Sequence, residues 1–143
     1  MEKSLNSLQI KGGYDGNIAD LNYQVSVQMF HRGSYKHFCG GSIIAASHII
    51  SAAHCYDNNI FNFYGVRAGS NTTKSGGQFR SVLSTQVHPS YDSMTIDYDV
   101  AILKLRTPLN FGALVQPIPL APLGKFIDAK VRATVSGWGA TRV

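Results

Sequence analysis

Short segments of alternating apolar and polar residues recur along the 143-residue chain, with turn residues between them. Such alternation is typical of strands that bury one face, while glycine, proline and asparagine between the segments mark turns. The pattern predicts six strands, at 23–30, 38–44, 48–51, 63–68, 79–87 and 100–105. No segment shows a convincing amphipathic helical period. Six short strands at fairly regular spacing therefore predict an all-β fold, either an antiparallel barrel or a sandwich.

Changes in composition predict where the domains begin and end. Residues 1–9 are polar and resemble a leader, and the six strands fall within a first domain at 10–115. Three prolines stiffen residues 116–129, which we predict to be a connector. Another strand is predicted from Lys130 to Ser136, so that residues 130–143 begin a second, incomplete unit.

The overall composition is that of a globular, soluble domain. Hydrophobic residues make up 44% of the chain and charged residues 15%, and no apolar run approaches the roughly 20 residues of a membrane span. The 13 Lys and Arg residues exceed the 8 Asp and Glu residues, but they are scattered rather than clustered. We therefore expect neither a membrane nor a nucleic acid as partner.

Cys39 and Cys55 are the two cysteines of the sequence. Their spacing fits a disulfide in an oxidising compartment, but two reduced thiols in the cytosol fit the composition equally well. Neither cysteine belongs to a metal-binding spacing, so no metal site is predicted. Asn71 begins an Asn-Thr-Thr sequon and favours a secreted protein with a glycan there. Because the polar start is too short for a signal peptide, we expect the N-terminus to be incomplete or misassigned.

Two residues carry the candidate chemistry. His54 follows a predicted buried strand in the sequence Ile-Ile-Ser-Ala-Ala-His-Cys, where a tether through Cys55 would fix the imidazole as a general base requires. Asp99 immediately precedes the most apolar predicted strand. A carboxylate at the edge of a core needs hydrogen-bond donors, which either a nearby histidine or the N–H groups of its own loop would supply.

Taken together, these segments resemble the trypsin and chymotrypsin family of serine proteases. Residues 38–42 resemble the strand before the family's histidine, residues 51–55 its histidine motif, and residues 97–105 its aspartate motif. Ser-Gly-Trp-Gly at 136–139 resembles the motif that opens the second barrel. The resemblance extends from Ile10 to the last residues. It implies the family's double β-barrel, of which this chain holds the first antiparallel, six-stranded Greek-key barrel and the start of the second.

The resemblance also implies a role for individual residues. His54 would be the general base, Asp99 the carboxylate that orients it, and Cys39 and Cys55 the adjacent disulfide. Activation would cleave between Gln9 and Ile10, although Gln9 is not a tryptic cleavage residue and a lysine follows Ile10. No role is assigned to the other histidines, which are His31, His37, His48 and His88.

The resemblance implies no cofactor for the reaction. The family's calcium loop would fall at residues 69–79, but that stretch contains no Asp or Glu. Because calcium prefers carboxylate oxygens, we predict that no calcium binds there.

The family's nucleophile motif, Gly-Asp-Ser-Gly-Gly, does not occur in the sequence. The attacking serine, the oxyanion hole and the specificity pocket are absent with it, so we predict that this chain alone does not hydrolyse peptides.

Two main hypotheses follow. The chain is the N-terminal half of a secreted endopeptidase acting on proteins or peptides, whose partner is the missing C-terminal barrel and whose isolated form exposes apolar surface. Alternatively, it is a catalytically dead paralogue that acts as a binding or decoy protein. Retention of both His54 and Asp99 favours the first hypothesis over the second. An unrelated all-β module is a third reading, less well supported than either.

Overall fold

A computed structural model describes residues 13–56 and 63–139 of the chain. The leader at 1–9, the Gln9–Ile10 cleavage site and residues 140–143 lie outside the described residues.

Six β-strands account for the regular structure of the described residues, together with one turn of 3₁₀ helix at Ala53–Cys55. The strands are β1 (Gln24–His31), β2 (Ser34–Ala45), β3 (His48–Ser51), β4 (Tyr64–Ala68), β5 (Gln78–Val87) and β6 (Ala101–Leu105). The six strands predicted from the alternating pattern are confirmed.

The strands close into an antiparallel barrel in the order β1-β2-β3-β6-β5-β4. Strands β1, β2 and β3 are successive neighbours, and β4 returns to the other side of β1. This order is a Greek key. The sequence left a barrel and a sandwich open, and the structure is the barrel.

A two-residue turn at Arg32 and Gly33 joins β1 to β2. Both residues have positive φ, 49° and 85°, as a tight hairpin turn requires to match the twist of its strands. The ladder reaches the turn itself, since His31 pairs with Ser34. The turn predicted at this position is confirmed.

Strand β2 begins at Ser34, four residues before the predicted start. Its first residues are mostly polar and show no apolar period, so the sequence pattern does not reveal them. Pairing with β1 extends the strand, and the Phe30 and Tyr35 rings pack across the ladder with their centroids 5.2 Å apart. Cross-strand aromatic pairs of this kind stabilise a sheet locally.

The core lies inside the barrel and is lined by branched aliphatic side chains. Val25, Val27, Ile43, Ile49, Val66 and Leu103 are fully buried and belong to one cluster. The other face of β1 is buried as well, although its residues Gln24, Ser26 and Gln28 are polar. The sequence predicted a half-buried strand here, and the structure shows a strand covered on both faces.

The prediction of a strand from Lys130 to Ser136 is wrong. The described part of the chain contains no strand after β6. A strand is stabilised by hydrogen bonds to a neighbouring strand, and no strand of the described barrel pairs with this segment. Residues 131–135 are exposed instead. The next residue is held by its side chain, since Ser136 Oγ donates to Oε1 of Gln24 over 2.8 Å.

The first residues of the proline-containing stretch that follows the barrel are hydrogen-bonded to the barrel or to the segment just before β1. The N–H of Gln116 donates to the carbonyl of Asn22 over 3.0 Å, and the N–H of Ile118 to the carbonyl of Ile43 over 2.8 Å. Val115, just before this stretch, is buried in the core cluster. Of the helical structure described, none is long and apolar enough to cross a membrane.

The packing of Phe79 against Gly65 gives the first testable prediction. A Cβ atom on Gly65 would collide with the Phe79 ring. That ring cannot move aside easily, because Tyr35 packs 4.8 Å from it and the Arg67 guanidinium lies 5.4 Å from its centroid. Gly65→Ala is therefore expected to lower the free energy of unfolding by about 1–3 kcal/mol in urea titrations.

Two variants control this experiment. A Cβ atom on Gly112 would meet no atom within 4 Å, so Gly112→Ala is expected to change the free energy of unfolding by less than about 0.5 kcal/mol. In a Phe79→Ala background Gly65→Ala should cost much less. An equal cost in both backgrounds would contradict the assigned contact.

Candidate active site

A single 3₁₀ turn directly after β3 presents the side chain of His54. Ala52 is extended (φ −96°, ψ 139°), and the turn is closed by hydrogen bonds from the N–H of Cys55 to the carbonyl of Ala52 and from the N–H of Tyr56 to that of Ala53. Ala53 is completely buried, which only a small side chain allows at this close approach to the barrel. The turn therefore has its backbone in the core and the imidazole at the surface.

A disulfide between Cys39 and Cys55 joins the same turn to β2. The structure thus resolves the two alternatives for the cysteines in favour of the disulfide. His54 and these two sulfurs form the one group of three candidate metal ligands among the described residues. Sulfurs bonded to each other carry no thiolate, the form that binds metal, so this group cannot serve as a metal site while the disulfide is intact.

Asp99 accepts two hydrogen bonds from His54. The backbone N–H of His54 donates to Oδ1, and the imidazole Nδ1 lies 2.8 Å from Oδ2. Both distances are 2.8 Å, which is typical of bonds to a charged acceptor. The two bonds fix both the position and the orientation of the ring.

The register of the barrel explains how residues 45 positions apart meet. Strands β3 and β6 are antiparallel neighbours, and Ser51 at the end of β3 lies opposite Ala101 at the start of β6. His54 follows Ser51 by three residues and Asp99 precedes Ala101 by two. The segment that follows β3 and the segment that precedes β6 therefore lie at the same end of the barrel.

The charge state of Asp99 determines which imidazole nitrogen carries the proton. Partial burial raises the pKa of Asp99, but the hydrogen bonds from His54 and from the backbone N–H of Ala53, with the attraction of His54, outweigh it and hold that pKa below its usual range. An ionised carboxylate only accepts hydrogen bonds, so Nδ1 of His54 is the donor. The other nitrogen, Nε2, then keeps its lone pair, because its neighbour at 3.7 Å is Sγ of Cys55, a disulfide sulfur with no proton to donate.

The two side chains differ in exposure in a way that suits proton transfer. Asp99 is 23% exposed and His54 is 56% exposed. The carboxylate is shielded beneath the ring, while the imidazole faces solvent. Chemically, the arrangement can take a proton at Nε2 from a group bound at the surface and stabilise the resulting imidazolium.

Beneath the turn lies a hydrogen-bond chain that the sequence analysis missed. The Tyr56 hydroxyl donates to Oγ of Ser51 over 3.1 Å, and Ser51 Oγ donates to the carbonyl of Gly40 over 2.8 Å. Burial raises the pKa of Tyr56 to about 12, so its hydroxyl remains a donor. The chain joins the turn to β2 beside the disulfide. The sequence pattern placed Ser51 in a strand and in the histidine motif, but it indicated no hydrogen bond to Tyr56.

Two of the histidines without an assigned role have clear hydrogen-bond partners. Nδ1 of His37 lies 2.8 Å from Oγ of the buried Ser26, and burial lowers the pKa of His37. Nδ1 of His88 accepts the N–H of Ser90 over 3.1 Å. Neither imidazole takes part in the hydrogen bonds between His54 and Asp99.

The side chain of Arg67 in β4 reaches the loop at 69–79, where a calcium site was considered. Arg67 donates to the carbonyls of Thr73 and Gly76 over 3.2 and 2.7 Å. These oxygens face a positive charge, which disfavours a cation beside them. The absence of calcium binding stays a prediction.

The sequon residue Asn71 is exposed and takes part in two contacts between distant segments. Its Oδ1 accepts the N–H of Ile18 over 2.7 Å, and its backbone carbonyl accepts the indole N–H of Trp138 over 2.8 Å. A glycan would be attached through the other side-chain atom, Nδ2. Glycosylation at Asn71 stays a prediction.

Comparison with known proteins agrees with the geometry. A family model described as Trypsin matches residues 10–143. The chain is 37% identical over 142 residues to a trypsin of Phaedon cochleariae, covering 96% of this chain and 52% of that protein. It is 39% identical over 135 residues to Hypodermin-A of Hypoderma lineatum, covering 94% of this chain and 50% of that protein.

Hypodermin-B of the same organism is 41% identical over 131 residues, which cover 92% of this chain and 49% of that protein. The chain thus spans about half the length of the curated relatives it matches.

The lowered pKa of Asp99 gives a prediction about stability in acid. Since the pKa is lower in the folded state, ionised Asp99 stabilises the fold above its ordinary pKa of about 3.9, and the contribution is lost as the pH falls through the lowered value. Asp99→Asn is expected to lower the free energy of unfolding by up to about 1 kcal/mol at pH 6, and by progressively less below about pH 4.

Urea titrations from pH 6 to pH 3 measure this difference. Asp15 is exposed, and Asp15→Asn removes the same charge outside the site. A difference between the wild type and Asp99→Asn that is as large at pH 3 as at pH 6 would contradict the assignment.

Proposed function

Because this chain belongs to the trypsin family, we propose that it supplies the histidine and aspartate of a serine endopeptidase whose nucleophile lies in a C-terminal barrel. The single observation that carries the proposal is the pair of 2.8 Å contacts through which Asp99 holds the backbone and the ring of His54. A binding protein that does no chemistry has no use for an exposed imidazole whose Nδ1 is held by a carboxylate and whose Nε2 keeps its lone pair beside a disulfide sulfur that donates no proton.

His54 would act as general base and then as general acid. In a Ser-His-Asp triad, Nε2 of the histidine takes the proton of the serine hydroxyl as its oxygen attacks the peptide carbonyl, and the aspartate stabilises the imidazolium that forms. The imidazolium then gives that proton to the leaving amine, and a water repeats the sequence to release the acyl group. In this chain Asp99 meets its part of the requirement, since it holds Nδ1 as the donor.

The disulfide supports a secreted enzyme. Disulfides persist in oxidising compartments, and Cys39–Cys55 closes a loop next to the proposed base. The sequon at Asn71 lies on an exposed loop, where a glycan has room. We propose extracellular proteins or peptides as substrates, and cleavage before Ile10 as the activating step.

Exposed apolar side chains support a C-terminal barrel as the partner of this chain. Soluble proteins rarely leave many large apolar side chains uncovered along one segment. Between residues 120 and 135 six such side chains are more than 60% exposed: Leu120, Leu123, Phe126, Ile127, Val131 and Val135. We propose that residues 116–129 connect the two barrels and that residues from 130 onward begin the second.

The function is tested with the product of the complete transcript. An in-frame Gly-Asp-Ser-Gly-Gly after Val143 is expected, and after activation the protein should cleave peptide substrates. Asp99→Asn is expected to lower kcat by about 10⁴-fold and His54→Ala by about 10⁶-fold, as in other triads of this type. His31→Ala removes an exposed histidine outside the site and should leave kcat unchanged.

Two results would overturn the proposal. Activity that survives His54→Ala would exclude His54 as the base. A stop codon directly after Val143 in the mature transcript would favour the decoy hypothesis instead.

The exposed apolar segment predicts how the 143-residue chain behaves without a partner. We expect it to bind the dye ANS and to associate as its concentration rises. Leu123→Ser and Phe126→Ser should reduce dye fluorescence, whereas Tyr14→Ser, at a side chain that is 95% exposed outside this segment, should not. A monomer that unfolds sharply and binds no dye would contradict the expectation.

A further inference from the structure

We propose that the stacked rings of His88 and Tyr98 position Asp99 for its hydrogen bonds to His54. The inference rests on the proposed function, in which His54 and Asp99 act as a catalytic pair. It assigns a task to His88, for which the sequence analysis expected none.

The backbone just before Asp99 has a conformation that needs support. Ile96 and Tyr98 have φ angles of 60° and 54°, in the left-handed region that residues other than glycine rarely adopt. A β-branched or bulky residue is held there only when its surroundings determine the conformation. Two such residues therefore lie within three positions, directly before Asp99.

Tyr98 determines the direction of the Asp99 side chain. The N–H of Val100 donates to the carbonyl of Tyr98 over 2.7 Å, which closes a three-residue turn with Asp99 at its centre. In so tight a turn, rotation of the Tyr98 peptide rotates the Cα–Cβ bond of Asp99 with it. The carboxylate reaches both donors of His54 only if that peptide keeps its orientation.

His88 contacts the chain on both sides of Asp99. Its backbone N–H donates to the carbonyl of Val100 over 2.9 Å. Its ring stacks on the ring of Tyr98, with the centroids 4.8 Å apart and the planes 15° from parallel. The two contacts connect the residue before Asp99 and the residue after it to one residue of the neighbouring segment.

The imidazole of His88 is itself held in place. Its Nδ1 accepts the N–H of Ser90 over 3.1 Å, and its carbonyl accepts the N–H of Tyr91 over 3.0 Å. The ring therefore offers Tyr98 a surface of fixed position and not a freely rotating side chain. Tyr98 is 62% exposed, so the stack supplies contacts that the barrel core does not.

His88 and Tyr98 act through the backbone of Asp99, so they are positioning residues. Their effect should appear in the hydrogen bond between Nδ1 of His54 and Asp99 before it appears in the stability of the barrel. The proton in that bond is expected to be observable by NMR in the 143-residue chain labelled with ¹⁵N-histidine, with Leu123→Ser and Phe126→Ser present in every sample to limit association. Its exchange rate with water reports how well the bond is held.

Loss of either ring is expected to accelerate exchange of the His54 Nδ1 proton. Tyr98→Ala and His88→Ala should each raise the rate by about 2- to 12-fold, the range expected for one aromatic pair. The double variant should match either single variant, because each removes the same contact. Tyr98→Phe keeps the ring and should restore the wild-type rate.

A control in the same loop separates the stack from general loosening. The Met94 side chain is 91% exposed, and Met94→Ala should leave the exchange rate unchanged. Backbone amide spectra of the six strands show whether each variant keeps the barrel. If Tyr98→Ala does not fold, His88→Ala carries the test.

The outcomes distinguish this inference from the proposed function. If the wild-type chain shows no protected proton at His54 Nδ1, the catalytic pair and the inference both fail. If the proton is protected and the alanine variants exchange at the wild-type rate, the inference alone fails. Additive effects in the double variant would also overturn it, since they would mean that the rings act separately.

Discussion

Strand β3 pairs with β6 so that Ser51 lies opposite Ala101, and the candidate site depends on that register. β3 has only four residues, so few ladder hydrogen bonds hold it. The core specifies the pairing, since Ile49 and Leu103 lie opposite each other and both are fully buried. A slip of one residue would turn Ile49 out of the barrel and move the histidine turn by about 3.3 Å relative to the aspartate. The alignment of the two site residues is thus set by apolar packing.

Apolar features of the fold could be predicted from the sequence better than polar ones. The strands were found because apolar alternation records burial directly, and His54 and Asp99 stood out because a distinctive motif surrounds each. The early start of β2 was missed because pairing with β1, rather than its own residues, forms that part of the strand. The prediction of a strand at 130–136 was wrong. An apolar and β-branched composition shows that a segment is compatible with a sheet, but it does not supply a neighbouring strand.

The alternating pattern did not predict burial of the polar face of β1, for a related reason. Gln24, Ser26 and Gln28 look like a solvent-facing row. In the structure Gln28 donates to the carbonyl of Thr73 over 2.6 Å, and Gln24 accepts the hydroxyl of Ser136. Within the described residues no buried side-chain nitrogen or oxygen lacks a partner. Distant segments of the chain therefore cover a polar surface and satisfy it, an outcome that only the folded arrangement reveals.

Closure of the barrel has a consequence for the route by which this chain can aggregate. Each of the six strands has a neighbour on both sides, although in the described residues the ladders leave the first part of β2 and the last part of β5 paired on one side only. Fibrils with a cross-β spine grow by adding strands to a row of unpaired backbone groups. While the barrel persists, the edges that are paired within it are closed to such growth, and fibrils that use them require the barrel to open first.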